Sequence, residues 1–141
     1  MQSIIEGFES IYEIERLIKM HFGRCESSNA SSSNDNCIEV RLLREVERSR
    51  VVVKLLWNTR LAIDQREAPE DTTQTIFLTA RMIARVAESV GLPPMRWGIL
   101  TGIRPVKFVR KMIEQGKSER YIAQTLRDDY LVQSEIADFV L

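Results

Sequence analysis

Residues 93–112 decide how this chain is organised, and they read PPMRWGILTGIRPVKFVRKM. The pair Pro93-Pro94 forces an extended backbone, and Pro105 suits the first turn of a helix, where its missing N–H leaves no hydrogen bond unmade. The unpaired N–H groups of that turn carry partial positive charge, and Arg104 and Lys107 stand beside them. The stretch therefore predicts a cationic helix start that suits a carboxylate or a phosphate.

Binding, and not bond breaking, is the chemistry that this stretch favours. We predict no catalytic residue, and we interpret 97–107 as an interdomain hinge and cationic contact. An indole in a turn, as at Trp97, is more often a lid over the core than a stacking platform. The basic side chains could instead pair with acidic groups or solvate the helix. The predicted ligand or interdomain contacts are Arg96, Trp97, Thr101, Gly102, Arg104 and Lys107.

Before this stretch, residues 1–92 predict an α+β domain. A short strand at 3–6 precedes a helix at 8–22, where Ile11, Ile14, Ile18 and Phe22 recur at helical spacing. Alternating or β-branched runs at 38–42, 51–57 and 61–63 predict three strands. A further helix begins at Asp71 or Thr72 and stops near Gly91. The expected fold is a two-layer β-α-β-β-β-α sandwich with an antiparallel sheet.

Residues 93–141 predict a Trp-Gly/Arg-Pro loop followed by a helical hairpin. Helix 105–115 has Val106 and Ile113 on its apolar side and Lys107, Arg110 and Lys111 on the other, and it ends at Gly116. Ser118 caps the next helix, in which Tyr121 is predicted to face inward, and Ser134 starts a third. No terminator follows that third helix. We therefore expect the chain to be the amino-terminal portion of a longer protein.

Charge and hydropathy narrow the range of partners. Twenty Lys and Arg balance twenty Asp and Glu, so no whole-chain field attracts nucleic acid or membrane. Locally, residues 96–120 hold seven basic side chains against two acidic ones. No apolar run approaches the roughly 20 residues that span a bilayer, and the amino end lacks a signal-peptide pattern. We predict a cytoplasmic protein with no membrane partner.

The nucleophilic and metal-ligating residues are sparse. Cys25 and Cys37 flank a Ser- and Asn-rich loop, and His21 is the only histidine. This spacing makes a metal site improbable and predicts two free thiols, with a disulfide as the alternative. A nucleophile with a partnering base is not evident, so the chain alone is predicted to be non-catalytic.

Two other functions fit the same sequence. The predicted helices between Pro105 and Arg127 have the length of a helix-turn-helix. Such a motif would make the chain a nucleic-acid-binding or regulatory module. Glu119, Asp128 and Asp129 on the second helix oppose phosphate, which makes nucleic acid the less favoured partner. A purely structural interpretation makes the chain an accessory dimerisation domain.

A family resemblance is carried by the run from Trp97 to Lys107, WGILTGIRPVK, and by the later residues Gly116, Tyr121, Leu126, 129–132 and Ser134. These resemble the region ahead of the catalytic domain in HemZ-like proteins, the oxygen-independent coproporphyrinogen III dehydrogenase-like radical S-adenosylmethionine family of bacteria. The family more often has Thr where this chain has Val106, which removes a hydroxyl.

The resemblance implies a longer oxidoreductase of haem and porphyrin biosynthesis, with this chain as its non-catalytic amino-terminal part. Its implied cofactors are a 4Fe–4S cluster and S-adenosylmethionine, held by a three-cysteine motif that this chain lacks. Its implied partners are the radical catalytic domain of the same chain and an anionic tetrapyrrole substrate. No cluster ligand can be assigned to any residue here.

Overall fold

The computed structural model describes residues 1–23, 36–96, 98–100 and 105–139. The chain divides into two compact units, Met1–Pro93 (unit 1) and Pro94–Leu141 (unit 2). The described residues form an α+β structure with one four-stranded mixed sheet and five α-helices.

Unit 1 contains the sheet, whose strands lie in the order β1-β2-β3-β4. The strands are β1 (Gln2–Glu6), β2 (Cys37–Arg44), β3 (Ser49–Trp57) and β4 (Arg60–Ala68). Strands β2, β3 and β4 form an antiparallel meander, since each pair is joined by a short connection. A two-residue turn, Asn58-Thr59, joins β3 to β4, and both residues have positive φ, 47° and 68°.

The prediction of a purely antiparallel sheet is wrong at its first strand. Strand β1 pairs with β2 in parallel, in the register Ser3 with Ile38 and Ile5 with Val40. The reason is the helix α1 (Ile11–Phe22), which lies between the two strands in the chain. A helical crossover returns the chain to the end from which it started, so the next strand runs in the same direction.

The core of unit 1 lies between one face of the sheet and two helices, α1 and α2 (Thr72–Ser89). Side chains alternate along a strand, and in β2 and β3 the buried ones share a face. They are Ile38, Val40, Val51, Val53 and Leu55, all with 0% exposure. The helices contribute Ile14, Leu17 and Ile18 from α1 and Ala80, Met82, Ile83, Val86 and Ala87 from α2.

The predicted caps of two helices are present. The Asp71 carboxylate accepts a hydrogen bond from the Gln74 N–H at 3.0 Å at the start of α2. At the start of α4 (Glu119–Asp128), the Ser118 hydroxyl accepts one from the Tyr121 N–H at 3.1 Å. Each cap satisfies a backbone N–H that has no partner inside its helix.

Unit 2 contains α3 (Pro105–Glu114), α4 and α5 (Ser134–Phe139), preceded by a 3₁₀ turn, Gly98–Leu100. Its core is small, and Phe108, Tyr130 and Ile136 pack around it. Val106 and Ile113, predicted for the apolar side of α3, are 62% and 55% exposed. The buried residues of this core are Leu100, Val109, Met112, Ile122, Leu126, Val132 and Ala137.

Candidate functional site

Two of the six predicted contact residues lie in the described part of the chain. Arg96 is exposed just before the 3₁₀ turn, and Lys107 is exposed in the first turn of α3. The other four, Trp97, Thr101, Gly102 and Arg104, lie outside the described residues. The hinge and the anion contact predicted for 97–107 therefore stay predictions.

Between these positions, the 3₁₀ turn Gly98–Leu100 is built into the core of unit 2. Gly98, Ile99 and Leu100 are buried, and the Ile99 N–H donates to the Tyr130 carbonyl at 2.9 Å. The residue two positions before the turn is also hydrogen-bonded to the loop after α4, since the Gln133 N–H donates to the Arg96 carbonyl at 3.1 Å. Backbone hydrogen bonds thus join the 3₁₀ segment to the loop that follows α4.

Gly98 is required at this junction for two reasons. Its φ is +55°, which side chains with a Cβ rarely adopt. A Cβ at this position would also collide with the carbonyl oxygens of Tyr130 and Leu131. The Trp-Gly pair of the sequence motif therefore has a structural role on its glycine side, since only glycine lets the two backbones approach so closely.

An aromatic pair closes the same junction. The Phe108 ring, on α3, meets the Tyr130 ring edge-on with 4.7 Å between centroids. Such a pair adds about 0.5–1.5 kcal/mol beyond the apolar area that it buries. Since Tyr130 also accepts the hydrogen bond from Ile99, one residue links α3 to the 3₁₀ turn.

Sequence reasoning did not predict this junction. Gly98 and the run 129–132 were recognised only as separate elements of a resemblance, and nothing in their spacing indicated contact. The one available signal was Gly98 itself, because an internal glycine in an apolar run often marks a close backbone approach.

The outer side of α3 carries a cluster of positive charge. Lys107, Arg110 and Lys111 lie three and four residues apart, so they share one side of the helix, and all three are exposed. We call this set the α3 basic face. Glu114 is the acidic side chain of the same helix, and it is exposed as well. The α3 basic face can bind carboxylates or phosphates through charge-assisted hydrogen bonds.

A further cation lies just beyond α3. The Lys117 ammonium sits 5.0 Å from the centroid of the Tyr121 ring, within the range of a cation–π interaction. Tyr121 was predicted to face inward, yet it is 49% exposed. Its ring lies at the surface beside Lys117, so this aromatic residue contributes to the surface of unit 2 more than to its core.

His21 lies in the last turn of α1, and its side chain is partly buried. Burial lowers the pKa of the imidazole, because a charged ring would lose hydration. Its Nε2 is buried without a hydrogen-bond partner, and the neighbouring Phe22 ring packs in turn on Trp57, 5.5 Å between centroids. This setting is apolar, and it keeps the imidazole neutral.

Cys37 is a half-buried free thiol at the start of β2. Burial raises the pKa of this thiol, and the negative charge of Glu39 adds to the effect. A raised pKa keeps the sulfur protonated and unreactive near neutral pH. Cys25 and the Ser- and Asn-rich loop lie outside the described residues.

Unit 1 has an acidic groove of about 490 Å³ at one end of its sheet. The connection between β1 and α1, the β2–β3 hairpin and the segment leading into α2 form its walls. Five glutamates outnumber two arginines there, so the groove repels phosphate and carboxylate ligands. The charged lining residues are Glu9, Arg44, Glu45, Glu47, Arg48, Glu67 and Glu70.

An iron–sulfur cluster does not fit the residues of this chain. A 4Fe–4S cluster is held by cysteine thiolates, and the sequence has two cysteines. Among the described residues, no group of three His, Cys, Asp or Glu side chains could hold a metal ion. Nor does any described helix have the length and apolarity to cross a bilayer.

Comparison with known proteins gives one partial match. Over 40 residues the chain is 45% identical to the oxygen-independent coproporphyrinogen-III oxidase-like protein HemZ of Bacillus subtilis (strain 168). The matched stretch covers 28% of this chain and 8% of that protein. No protein-family model and no solved structure matches the chain. The match weakly suggests a HemZ-like relationship, and it carries no information about the fold.

Proposed function

We propose that this chain is a non-catalytic part of a longer HemZ-like oxidoreductase, in which unit 2 positions carboxylate groups. The observation that carries the proposal is the 45% identity to HemZ over 40 residues. The run from Trp97 to Lys107, with its resemblance to the region ahead of the family's catalytic domain, supports the same assignment.

The reactive chemistry then belongs to a segment other than the one described. HemZ is named as coproporphyrinogen-III oxidase-like, and oxidative decarboxylation of propionate side chains is the reaction that the resemblance implies. A radical S-adenosylmethionine domain in the same chain would supply the 4Fe–4S cluster and the radical. A cytoplasmic location follows as part of the same proposal.

The role of unit 2 is argued from its surface charge. Lys107, Arg110 and Lys111 point three cations at solvent within two helical turns. Arg96 is exposed at the other end of the buried 3₁₀ turn. Guanidinium and ammonium groups bind carboxylates through charge-assisted hydrogen bonds. The carboxylates would belong either to the catalytic domain or to the propionates of a tetrapyrrole.

The two sources of carboxylate are separated by one experiment in the longer protein. Lys107, Arg110 and Lys111 are replaced together by Ala, and Arg104→Ala is made separately. Loss of three exposed charge contacts is expected to weaken the interaction about tenfold. A higher KM at unchanged domain association indicates substrate binding, whereas weaker domain association indicates docking.

A matched control removes three exposed cations from unit 1 in one variant, Lys19→Ala, Lys54→Ala and Arg85→Ala. It lowers the net charge in the same direction but leaves unit 2 intact, so turnover and domain association should not change. If the variants of Arg104 and of the α3 basic face also leave KM, kcat and domain association unchanged, the proposed role of unit 2 is wrong.

The alternative, a helix-turn-helix that binds nucleic acid, stays a prediction. Helices α3 and α4 are joined by the short connection 115–118, as such a motif requires. The charge pattern of α4 does not favour it, since Glu119 and Asp128 are exposed on the same helix as Arg120. Titration with duplex DNA at low and high salt tests this alternative. Binding through phosphate contacts should weaken steeply as salt increases.

A further inference from the structure

The outer edge of β4 has no neighbouring strand among the described residues. Strand β4 is the last of the four in the sheet, and it pairs along its whole length with β3. At nine residues it is long for an edge strand, and such edges pair readily with another chain.

The hairpin geometry fixes which backbone groups of β4 point outward. In a two-residue hairpin the residues that flank the turn, Trp57 and Arg60, form a hydrogen-bonded pair. Hydrogen-bonded pairs alternate along an antiparallel ladder. Arg60 and Ala62 therefore direct their N–H and C=O groups toward β3, whereas Leu61 and Ile63 direct theirs away from the sheet.

The same outward-directed residues carry exposed apolar side chains. Leu61 is 57% exposed and Ile63 is 53% exposed, on the sheet face opposite the helices. At the other edge of the sheet, Ile4 and Ile5 of β1 are partly buried. The apolar edge surface of unit 1 is thus concentrated on β4.

We propose that β4 binds β4 of a second copy of this chain, antiparallel, with the two-fold axis at Ala62. In this register Leu61 lies opposite Ile63 of the second copy, twice by symmetry, as hydrogen-bonded pairs. Arg60 lies opposite Asp64 of the second copy, again twice. Within each copy Arg60 also donates to the Val90 carbonyl at 3.4 Å and Asp64 accepts from Arg66 at 3.1 Å, so the apolar pairs carry the contact and the charge pairs only orient it. The two sheets become one eight-stranded sheet, and the proposal is independent of the function proposed above.

Charge and hydropathy select this register over its neighbours. An axis at Ile63 places Arg60 opposite Arg66, and an axis at Asp64 places two carboxylates face to face. An axis at Gln65 pairs Asp64 with Arg66 but sets Ile63 opposite Glu67. Like charges directly opposite destabilise a sheet, whereas apolar and opposite-charge pairs stabilise it. Of these four axis positions, only Ala62 gives apolar pairs and opposite-charge pairs without a like-charge pair.

The dimer should depend strongly on concentration. A contact formed by two strand edges is smaller than a standard protein interface, and small interfaces bind weakly. By sedimentation, the weight-average mass of the 141-residue chain should rise from 16.3 kDa toward twice that value as concentration increases. A mass that stays at 16.3 kDa up to millimolar concentration overturns the proposal.

A charge-exchange experiment tests the pairing of Leu61 with Ile63. One variant carries Leu61→Lys and Ile63→Lys, and the other carries Leu61→Glu and Ile63→Glu. Each alone places like charges opposite and should remain monomeric, whereas their mixture places Lys opposite Glu and should associate. Both positions are more than half exposed, so circular dichroism should show unchanged folds. Undiminished dimerisation of either variant alone, or no association of the mixture, contradicts the proposal.

Cysteine scanning tests the position of the axis. In a chain with Cys25→Ser and Cys37→Ser, single cysteines are placed at Ala62, Ile63, Asp64 and Gln65, and the chains are oxidised mildly. A non-hydrogen-bonded pair holds its Cα atoms about 4.5 Å apart, within disulfide range. Ala62→Cys should therefore cross-link fastest. Fastest cross-linking at another position, or equal rates at all four, overturns the register.

Discussion

Unit 1 and unit 2 bury their apolar residues in different ways. Unit 1 closes a core between a sheet and two helices, where strand alternation decides which side chains are buried. Unit 2 closes a smaller core around a 3₁₀ turn and a loop that meet backbone to backbone. The first arrangement rests on side-chain packing, whereas the second also needs a glycine at position 98, where two backbones approach closely.

Their charges differ as well. Unit 1 has twelve Lys and Arg against fourteen Asp and Glu, a formal charge of −2. Unit 2 has eight against six, a formal charge of +2. Unit 1 presents an acidic groove and unit 2 presents the α3 basic face. A balanced total therefore conceals two surfaces with opposite preferences for ligands.

The largest effect that separates the units is expected from Gly98→Ala. A Cβ at φ +55° adds backbone strain, and it also meets the Tyr130 and Leu131 carbonyls. Unit 2 should lose roughly 3–5 kcal/mol of unfolding free energy. The measurement is hydrogen exchange of the amides of α4 and α5, which should lose protection.

Gly116→Ala is the matched control for that substitution. Gly116 also has a positive φ, +79°, but a Cβ there meets nothing within 4 Å. Only the backbone strain applies, so the expected loss is about 1–2 kcal/mol. If both variants lose equal protection, then close approach at Gly98 is not what holds unit 2 together.

A smaller effect, about 1 kcal/mol, is expected from removing either helix cap. Asp71→Ala in unit 1 and Ser118→Ala in unit 2 each leave one helix N–H without its side-chain partner. Urea unfolding should show similar losses, because the hydrogen bonds have nearly equal lengths. Hydrogen exchange of the amides at the start of α2 and α4 identifies which helix is destabilised by each substitution. Loss of protection only in the unit that was not mutated would contradict the role of these caps.

The smallest effect concerns pH and belongs to unit 1. Burial lowers the pKa of His21 below 6.5, so the unfolded chain binds its proton more readily than the folded one. Stability should therefore fall as pH decreases from 6.5 toward the folded-state pKa, and stay constant above 7. His21→Gln should flatten this slope in unfolding experiments between pH 5 and 8. An unchanged slope would show that another group titrates.

Much of unit 1 could be predicted from the sequence because its signals are local. Alternation marked β2, β3 and β4, and Asp71 marked the start of α2. The direction of β1 was wrong, since strand pairing depends on where a crossover helix returns the chain. Ile11 was expected in the apolar stripe of α1, but it is 49% exposed because it lies in the first turn.

The site could be predicted only in part. The cations of α3 were expected on its polar side, and the structure places Lys107, Arg110 and Lys111 at the surface. The junction between Gly98 and the 130–133 loop could not be predicted, because it joins backbone segments more than 30 residues apart. Periodicity and composition carry no information about such non-local contacts.

Iron content tests whether this chain is the cluster-free part of an iron–sulfur enzyme. The product of the native gene is purified without oxygen, and its iron and electron paramagnetic resonance spectrum are compared with those of the 141-residue chain after reconstitution with iron and sulfide. We expect about four iron atoms per chain and a reduced-cluster signal in the native product. The 141-residue chain should show neither. A native product without a cluster, or a cluster on the 141-residue chain, would contradict it.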